Sequence, residues 1–346
     1  MDLPKPGEPN FVLTQEDNER VVTDSFVFTK GAHQTDTSWK TVVSKYAQPS
    51  VWRSIWQITD SFGPYVALWV AMYFTRAISW WLTRRSPATI TQPPAEFASL
   101  TLEHLACRTT DGLILKGWLL EPPQPRATIA LFHGLRANRL AALSRIAFLT
   151  AAGYRCVAFD HRAHGESGGR LTSFGYFERH DVQAVAEIIH ARWPNRPCAA
   201  LGISMGGASI CFAGAQSHAF DALILESVYH DLAATFHHRI GVDYPGWFKH
   251  FRDGVISLTE RRFGVRIHQV SPLAHVADLA PRPVLLLTGE HDPHAPPHEV
   301  RLLADRLGKT GQLHLVPGAG HEDVLEQGGR AYQELILSFL EKELRS

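Results

Sequence analysis

The chain has 346 residues, 45% of them hydrophobic and 20% charged, with 34 basic residues set against 34 acidic ones. That length supplies one large domain, or one domain with an appendage, and ample apolar material for a core. The balanced charge leaves no electrostatic footprint for nucleic acid. Residues 1–60 form a polar N-terminal extension, expected to be partly disordered, whose first twenty residues lack the apolar centre of a signal peptide.

Residues 61–85 then read as a hydrophobic helix, with "FGPYVALWVAMYFTRAISWWL" over 62–82 at its heart. The stretch has about the ~20 residues that cross a bilayer, and tryptophan and tyrosine lie near its ends. Arg76 inside it opposes a clean span, because a charge in hydrocarbon is costly. Three readings follow: a membrane span, an interfacial helix, or a helix packed on the following domain. The wider stretch 45–85 resembles the N-terminal entry into the first membrane helix of fatty-acid desaturases. The histidine clusters that such enzymes need for iron are missing, so the resemblance implies an anchor without that chemistry. The expectation is membrane association through residues 62–82 with the rest of the chain cytoplasmic; the alternative is a soluble cytoplasmic protein. Residues 86–96, opening "SPATITQPPA", are proline-rich and read as a linker.

From residue 97 to 346 the texture is that of an α/β domain. Two β-like runs flank Asp111-Gly112, a hairpin signal. Short apolar runs then alternate with helix-length segments: "ATIALFHG", "RCVAFDHR", "CAALGIS", "ALILES", "PVLLLTGE" and "GQLHLVPG", before a terminal helix near 327–344. Such alternation predicts a mostly parallel sheet with helices on both faces and sites at the carboxyl ends of its strands. The four cysteines, Cys107, Cys156, Cys198 and Cys211, have no C-x-x-C spacing and read as free thiols of a reducing compartment.

The run "LGISMGGASI" puts Ser204 between Gly202 and Gly206, with a buried strand before it and a small-residue helix after it. That context suits a nucleophile elbow, where a strained turn lifts a serine oxygen above the sheet and the helix N-terminus favours developing negative charge. A serine hydroxyl needs a base, and "VPGAGHEDVLE" offers His321 in the loop after the last strand. An acid should orient that base, and "LLLTGEHDPHAPP" offers Asp292 just past the preceding strand. Glu226, which ends "ALILES", is the rival acid, and Asp160 reads as loop support. Two amides should hold the oxyanion: that of Met205, next to the nucleophile, and that of Leu135 in "LFHGLRANR". His133 and Gly134 precede Leu135 and fall within the expected substrate-binding set, His133 chiefly as a shaper of the loop.

The arrangement over residues 98–346 resembles the α/β-hydrolase superfamily, nearest to its monoglyceride-lipase, serine-aminopeptidase and bem46-like groups. "FDHRAHGESGG" resembles the superfamily's D-x-R-G-x-G-x-S segment, with Ala163 where glycine is usual. The resemblance implies an α/β-hydrolase fold with a small helical cap, here about 228–280. Phe236, Tyr244 and Trp247 in that cap are expected to line an acyl pocket, or else to pack on the core. His161 and His164 form an H-x-x-H pair without a further ligand, and His291, His294 and His298 surround a proline-rich loop, so no metal and no cofactor is expected. The expected activity is hydrolysis of a small-molecule carboxylic ester, lipid or thioester through an acyl-enzyme. The alternatives are an aminopeptidase-like or prolyl-type serine peptidase and a non-catalytic, membrane-tethered protein of the same fold.

Overall fold

The computed structural model describes Ser44, residues 50–90, 92–214, 220–243 and 251–344, those from 238 to 243 as backbone only. Most of the extension expected over 1–60 lies outside the described residues, as do Tyr244 and Trp247. The chain divides into one unit ending at Val66 and a second that begins at Ala67. Helix α1 (Val51–Thr83) starts in the first and supplies the opening turns of the second.

The second unit continues through β1 (Ser86–Pro87), β2 (Thr101–Arg108), β3 (Ile114–Glu121), β4 (Thr128–Phe132), α2 (Leu143–Ala151), β5 (Arg155–Phe159), β6 (His164–Gly165) and α3 (Arg179–Arg192). Then come β7 (Cys198–Ile203), α4 (Met205–Ala213), β8 (Ala222–Glu226), α5 (Leu232–Asp243), α6 (Arg252–Phe263) and the single turn α7 (Pro272–His275). Strand β9 (Val284–Gly289), α8 (Pro297–Leu307), β10 (Gly311–Val316) and α9 (Val324–Glu343) complete the order.

Eight strands form one sheet in the order β10-β9-β8-β7-β4-β5-β3-β2. The β2–β3 and β3–β5 pairings are antiparallel and the others parallel. Continuous apolar runs suit strands covered on both faces. In β9, Val284 and Leu286 join one core layer while Leu285 and Leu287 join the other. Val182 and Val185 of α3, Ile210 of α4 and Val300 of α8 pack in the first layer; Ile146 of α2 and Ile336 and Leu340 of α9 pack in the second. The expected mostly parallel sheet with helices on both faces is the architecture observed.

The expected membrane span is corrected. Among the described residues, no helix is long and apolar enough to cross a membrane. Helix α1 has ample length at 33 residues, so apolarity is what falls short: it carries Arg53, Asp60 and Arg76 among many serines, threonines and aromatics. Its fully buried residues are polar, while Ile78 and Leu82 beside them pack half-buried on the core. Thr75, Ser79 and Thr83 recur every fourth residue and are all buried. Ser79 Oγ lies 3.2 Å from Thr259 Oγ1 of α6, and Arg262 Nε donates to Thr83 Oγ1 at 2.8 Å. The start of the expected linker is also structured: Ser86 and Pro87 of β1 pair in parallel with His164 and Gly165 of β6.

Candidate active site

The turn at Ser204 is built by backbone. Ser204 leaves β7 with φ 50° and ψ −113°, a conformation rarely open to a residue with a Cβ, and α4 begins at the next residue. Its amide donates to the Glu226 carbonyl at 2.7 Å, which fixes the turn to β8. The flanking glycines are demanded by close approach. A Cβ on Gly206 would stand 2.2 Å from the Phe132 carbonyl oxygen, and one on Gly202 would stand 2.5 Å from the Gly207 nitrogen.

His321 Nε2 is 3.1 Å from Ser204 Oγ, and its Nδ1 lies 2.9 Å from both Asp292 oxygens. With Nδ1–H facing the carboxylate, the Nε2 lone pair faces the serine hydroxyl. Asp292 is buried, and the amides of His294 and Ala295 donate to its Oδ1 at 2.8 Å each. Burial pushes its carboxyl up, but the His321 hydrogen bond and charge and the two amides outweigh that, so its pKa sits below the ordinary aspartate value. It is held as an anion beside the His321 imidazole.

The loop after β4 runs against Ser204: a Cβ on Gly134 would be 3.5 Å from that of Ser204. Neither the Leu135 nor the Met205 amide has a protein acceptor among the described residues, and Met205 opens α4, where such donors are left over. Buried imidazoles hold the loop from behind. His133 Nδ1 is 2.7 Å from the Gly134 carbonyl, and its Nε2 accepts the His161 amide at 3.0 Å. His164 Nε2 accepts the amide of Arg136 at 3.1 Å, while its Nδ1 lies 2.9 Å from the Arg162 carbonyl. Arg136 has φ 63°, so this hydrogen bond pins a strained residue directly after Leu135. Burial lowers the pKa of both His133 and His164, which keeps each neutral and able to accept.

A pocket of about 530 Å³ opens over Ser204 and His321. Its lining includes the apolar Trp81, Leu82, Leu135 and Ile203 and the carboxylates of Glu322 and Glu326. Glu226 also reaches it but is committed elsewhere: the buried Arg145 guanidinium and the Tyr332 hydroxyl donate to its carboxylate.

Two family models match the chain, one described as serine aminopeptidase, S33, over residues 123–253, and one as TAP-like protein over residues 264–344. The chain is 27% identical over 236 residues to YqkD of Bacillus subtilis, covering 66% of this chain and 76% of that protein. It is also 27% identical over 257 residues to bem46 of Schizosaccharomyces pombe, covering 71% and 79%. Among solved structures, a Pyrococcus furiosus esterase aligns with a TM-score of 0.64 at 21% identity, over 76% of this chain and 99% of that one. A Pyrococcus horikoshii acylaminoacyl peptidase aligns at 0.54 and 19%, over 72% and 42%. The chain belongs to the α/β-hydrolase superfamily.

Within this α/β-hydrolase, Ser204, Asp292 and His321 come together, and Gly134 and Leu135 border the same pocket. Two expected substrate contacts do not. Phe236 is buried in the core, its ring 5.5 Å from that of Phe174, because α5 turns this side chain inward. His133 is also buried and takes no part in the pocket lining; both its ring nitrogens bond backbone groups of loops. Asp160 supports its loop, accepting from the Arg139 and Glu166 amides at 2.8 and 2.9 Å. Sequence reasoning missed Trp81, Arg136 and the role of His164. For His164 the only signal was the H-x-x-H pair in a turn.

Proposed function

We propose that this chain is a serine hydrolase that cleaves carboxylic esters of small molecules, lipids or thioesters through an acyl-enzyme. The observation that carries the reading is the unbroken hydrogen-bond chain Asp292–His321–Ser204 ending on a strained strand-to-helix turn. His321 Nε2 takes the hydroxyl proton as Ser204 Oγ attacks the acyl carbon, and Asp292 holds the imidazole tautomer and steadies the imidazolium. The Leu135 and Met205 amides receive the negative charge that builds on the former carbonyl oxygen. His321 then passes its proton to the leaving oxygen, the alcohol departs, and a water deprotonated by His321 releases the acid and restores Ser204.

The apolar residues of the pocket lining suit an acyl chain. A second reading, a peptidase acting at a free N-terminus, is favoured by one specific feature: Glu322 and Glu326 are carboxylates at the pocket, neither with a protein partner among the described residues. Incubation with a fluorophosphonate probe should label the wild-type chain and leave Ser204→Ala unlabelled. An unlabelled wild type would sink the serine-hydrolase reading and leave a non-catalytic member of the fold. A p-nitrophenyl ester series run beside aminoacyl and prolyl amides divides the first two readings, with preference for an amide overturning the ester.

A further inference from the structure

The end of α1 lies outside the residues that the family models match, yet it forms part of the catalytic pocket. Trp81 and Leu82 border that pocket together with Leu135, Ser204 and His321. The Trp81 indole is 44% exposed, so core packing is not what holds it there. Arg136 holds it instead, with its guanidinium 3.5 Å from the ring centroid and its Nη2 donating to the Trp81 carbonyl. The chain beyond is fastened as well. The Thr172 amide donates to the Thr83 carbonyl at 3.1 Å, Arg85 Nη2 to the Ser167 carbonyl at 3.1 Å, and the Ser86 amide to the Ala163 carbonyl at 2.7 Å. A large aromatic side chain is thus fixed at the edge of the reaction site by a contact on its own ring and carbonyl and by hydrogen bonds of the residues that follow it.

Resting on the ester-hydrolase reading, we propose that Trp81 is a specificity-determining residue: its indole closes one side of the acyl pocket and limits the length of acyl chain accepted beside Ser204. The group it selects is a short aliphatic acyl chain. Removal of the indole opens that side, and each additional methylene that then finds apolar cover should gain roughly fourfold in kcat/KM.

The test uses the full chain and the p-nitrophenyl esters from acetate to dodecanoate. The ratio of kcat/KM for dodecanoate to that for butyrate should rise at least tenfold in Trp81→Ala and stay near wild type in Trp81→Phe, which keeps a ring. Trp80→Ala is the control, since Trp80 faces a separate groove with Arg76 and Arg261, and its ratio should stay within twofold of wild type. A Trp81→Ala ratio no larger than that of Trp80→Ala overturns the proposal. Thermal midpoints are read in parallel, and Trp81→Leu replaces the alanine variant should that one fail to fold. Fluorophosphonate labelling separates the two possible failures. No labelling of wild type refutes the serine-hydrolase reading; labelling with an unchanged chain-length ratio refutes the role of Trp81 alone.

Discussion

His164 is one of two buried imidazoles behind the loop proposed to hold the oxyanion, and removing it is the sharpest test of how the site is built. His164 is fully buried; its Nε2 accepts the Arg136 amide at 3.1 Å, and its Nδ1 faces the Arg162 carbonyl at 2.9 Å. His164→Leu takes away both partners, and each orphaned backbone group costs ~1–3 kcal/mol in stability. The catalytic effect is separate. Deleting one oxyanion donor costs ~10²–10³ in kcat, and here the Leu135 amide is displaced rather than deleted, so a fall of ~10- to 100-fold is expected. KM should hold, because the hole is filled by charge that develops only in the transition state. His164→Gln restores an acceptor near the Nε2 position and should recover most of kcat. His164→Asn, whose amide reaches only about as far as Nδ1, should not. Steady-state kinetics on a p-nitrophenyl ester, with the affinity of a trifluoromethyl ketone as a second readout, measures this. A His164→Leu enzyme with kcat within twofold of wild type and unchanged ketone affinity refutes the reasoning, whatever its stability.

Asp292→Asn keeps the shape of the site but presents an amide to His321 Nδ1, so kcat should fall ~10⁴-fold while the thermal midpoint moves little. Glu226→Ala should behave in the opposite way. It strands the buried Arg145 guanidinium, which costs ~3–5 kcal/mol in urea unfolding, and it spares kcat to within tenfold because the carboxylate serves Arg145 and Tyr332 rather than His321. A larger kcat loss for Glu226→Ala than for Asp292→Asn would exchange their roles. For pH, burial lowers the His164 pKa, against the Arg162 carbonyl and the charges of Glu178 and Asp181, which raise it; His161 adds a smaller lowering. A histidine whose folded pKa is depressed stabilises above its unfolded value, and that contribution is lost as pH falls below ~6.5 toward the folded pKa. The stability of wild type should therefore fall faster than that of His164→Gln between pH 7 and 5, by at most ~1.4 kcal/mol per pH unit for one proton. Equal slopes in urea titrations would show that the imidazole is not held neutral.

What could be read from the sequence was local, or ordered along the chain. Ser204 stood out because the strand, the two glycines and the helix are contiguous, and each glycine is required by backbone that its neighbours bring within 3 Å. Asp292 and His321 were legible because each directly follows a strand whose apolar run is unmistakable. His164 was not, since its partner lies 28 residues away and an imidazole accepting from backbone leaves no pattern. Phe236 misled for a related reason: aromatic residues in a helical insertion look alike whether they face a pocket or the core. The membrane reading of residues 62–82 followed from the aromatic run, which masks a second periodicity. Thr75, Ser79 and Thr83 recur at the four-residue spacing of one helix face, and that polar stripe is buried, with Ser79 and Thr83 facing Thr259 and Arg262.

The two halves of the site are held by different means, and this has a consequence for how selectivity can change. The Ser204 side is fixed by backbone: the Ser204 amide on the Glu226 carbonyl, and glycines at positions where a Cβ cannot fit. The side formed by the loop after β4 and the end of α1 is fixed by side chains, His164 and His133 on that loop and Arg136 against Trp81. Side-chain contacts can be exchanged one at a time, whereas a backbone turn of this kind tolerates almost no substitution. Substitutions at the end of α1 should therefore alter which acyl chain is accepted and leave the reactivity of Ser204 intact. Variants at position 81 should keep the wild-type rate of fluorophosphonate labelling for a small probe even as their ester preference moves. A labelling rate that falls together with the preference would mean that Trp81 steadies the oxyanion loop through Arg136 as well as walling the pocket.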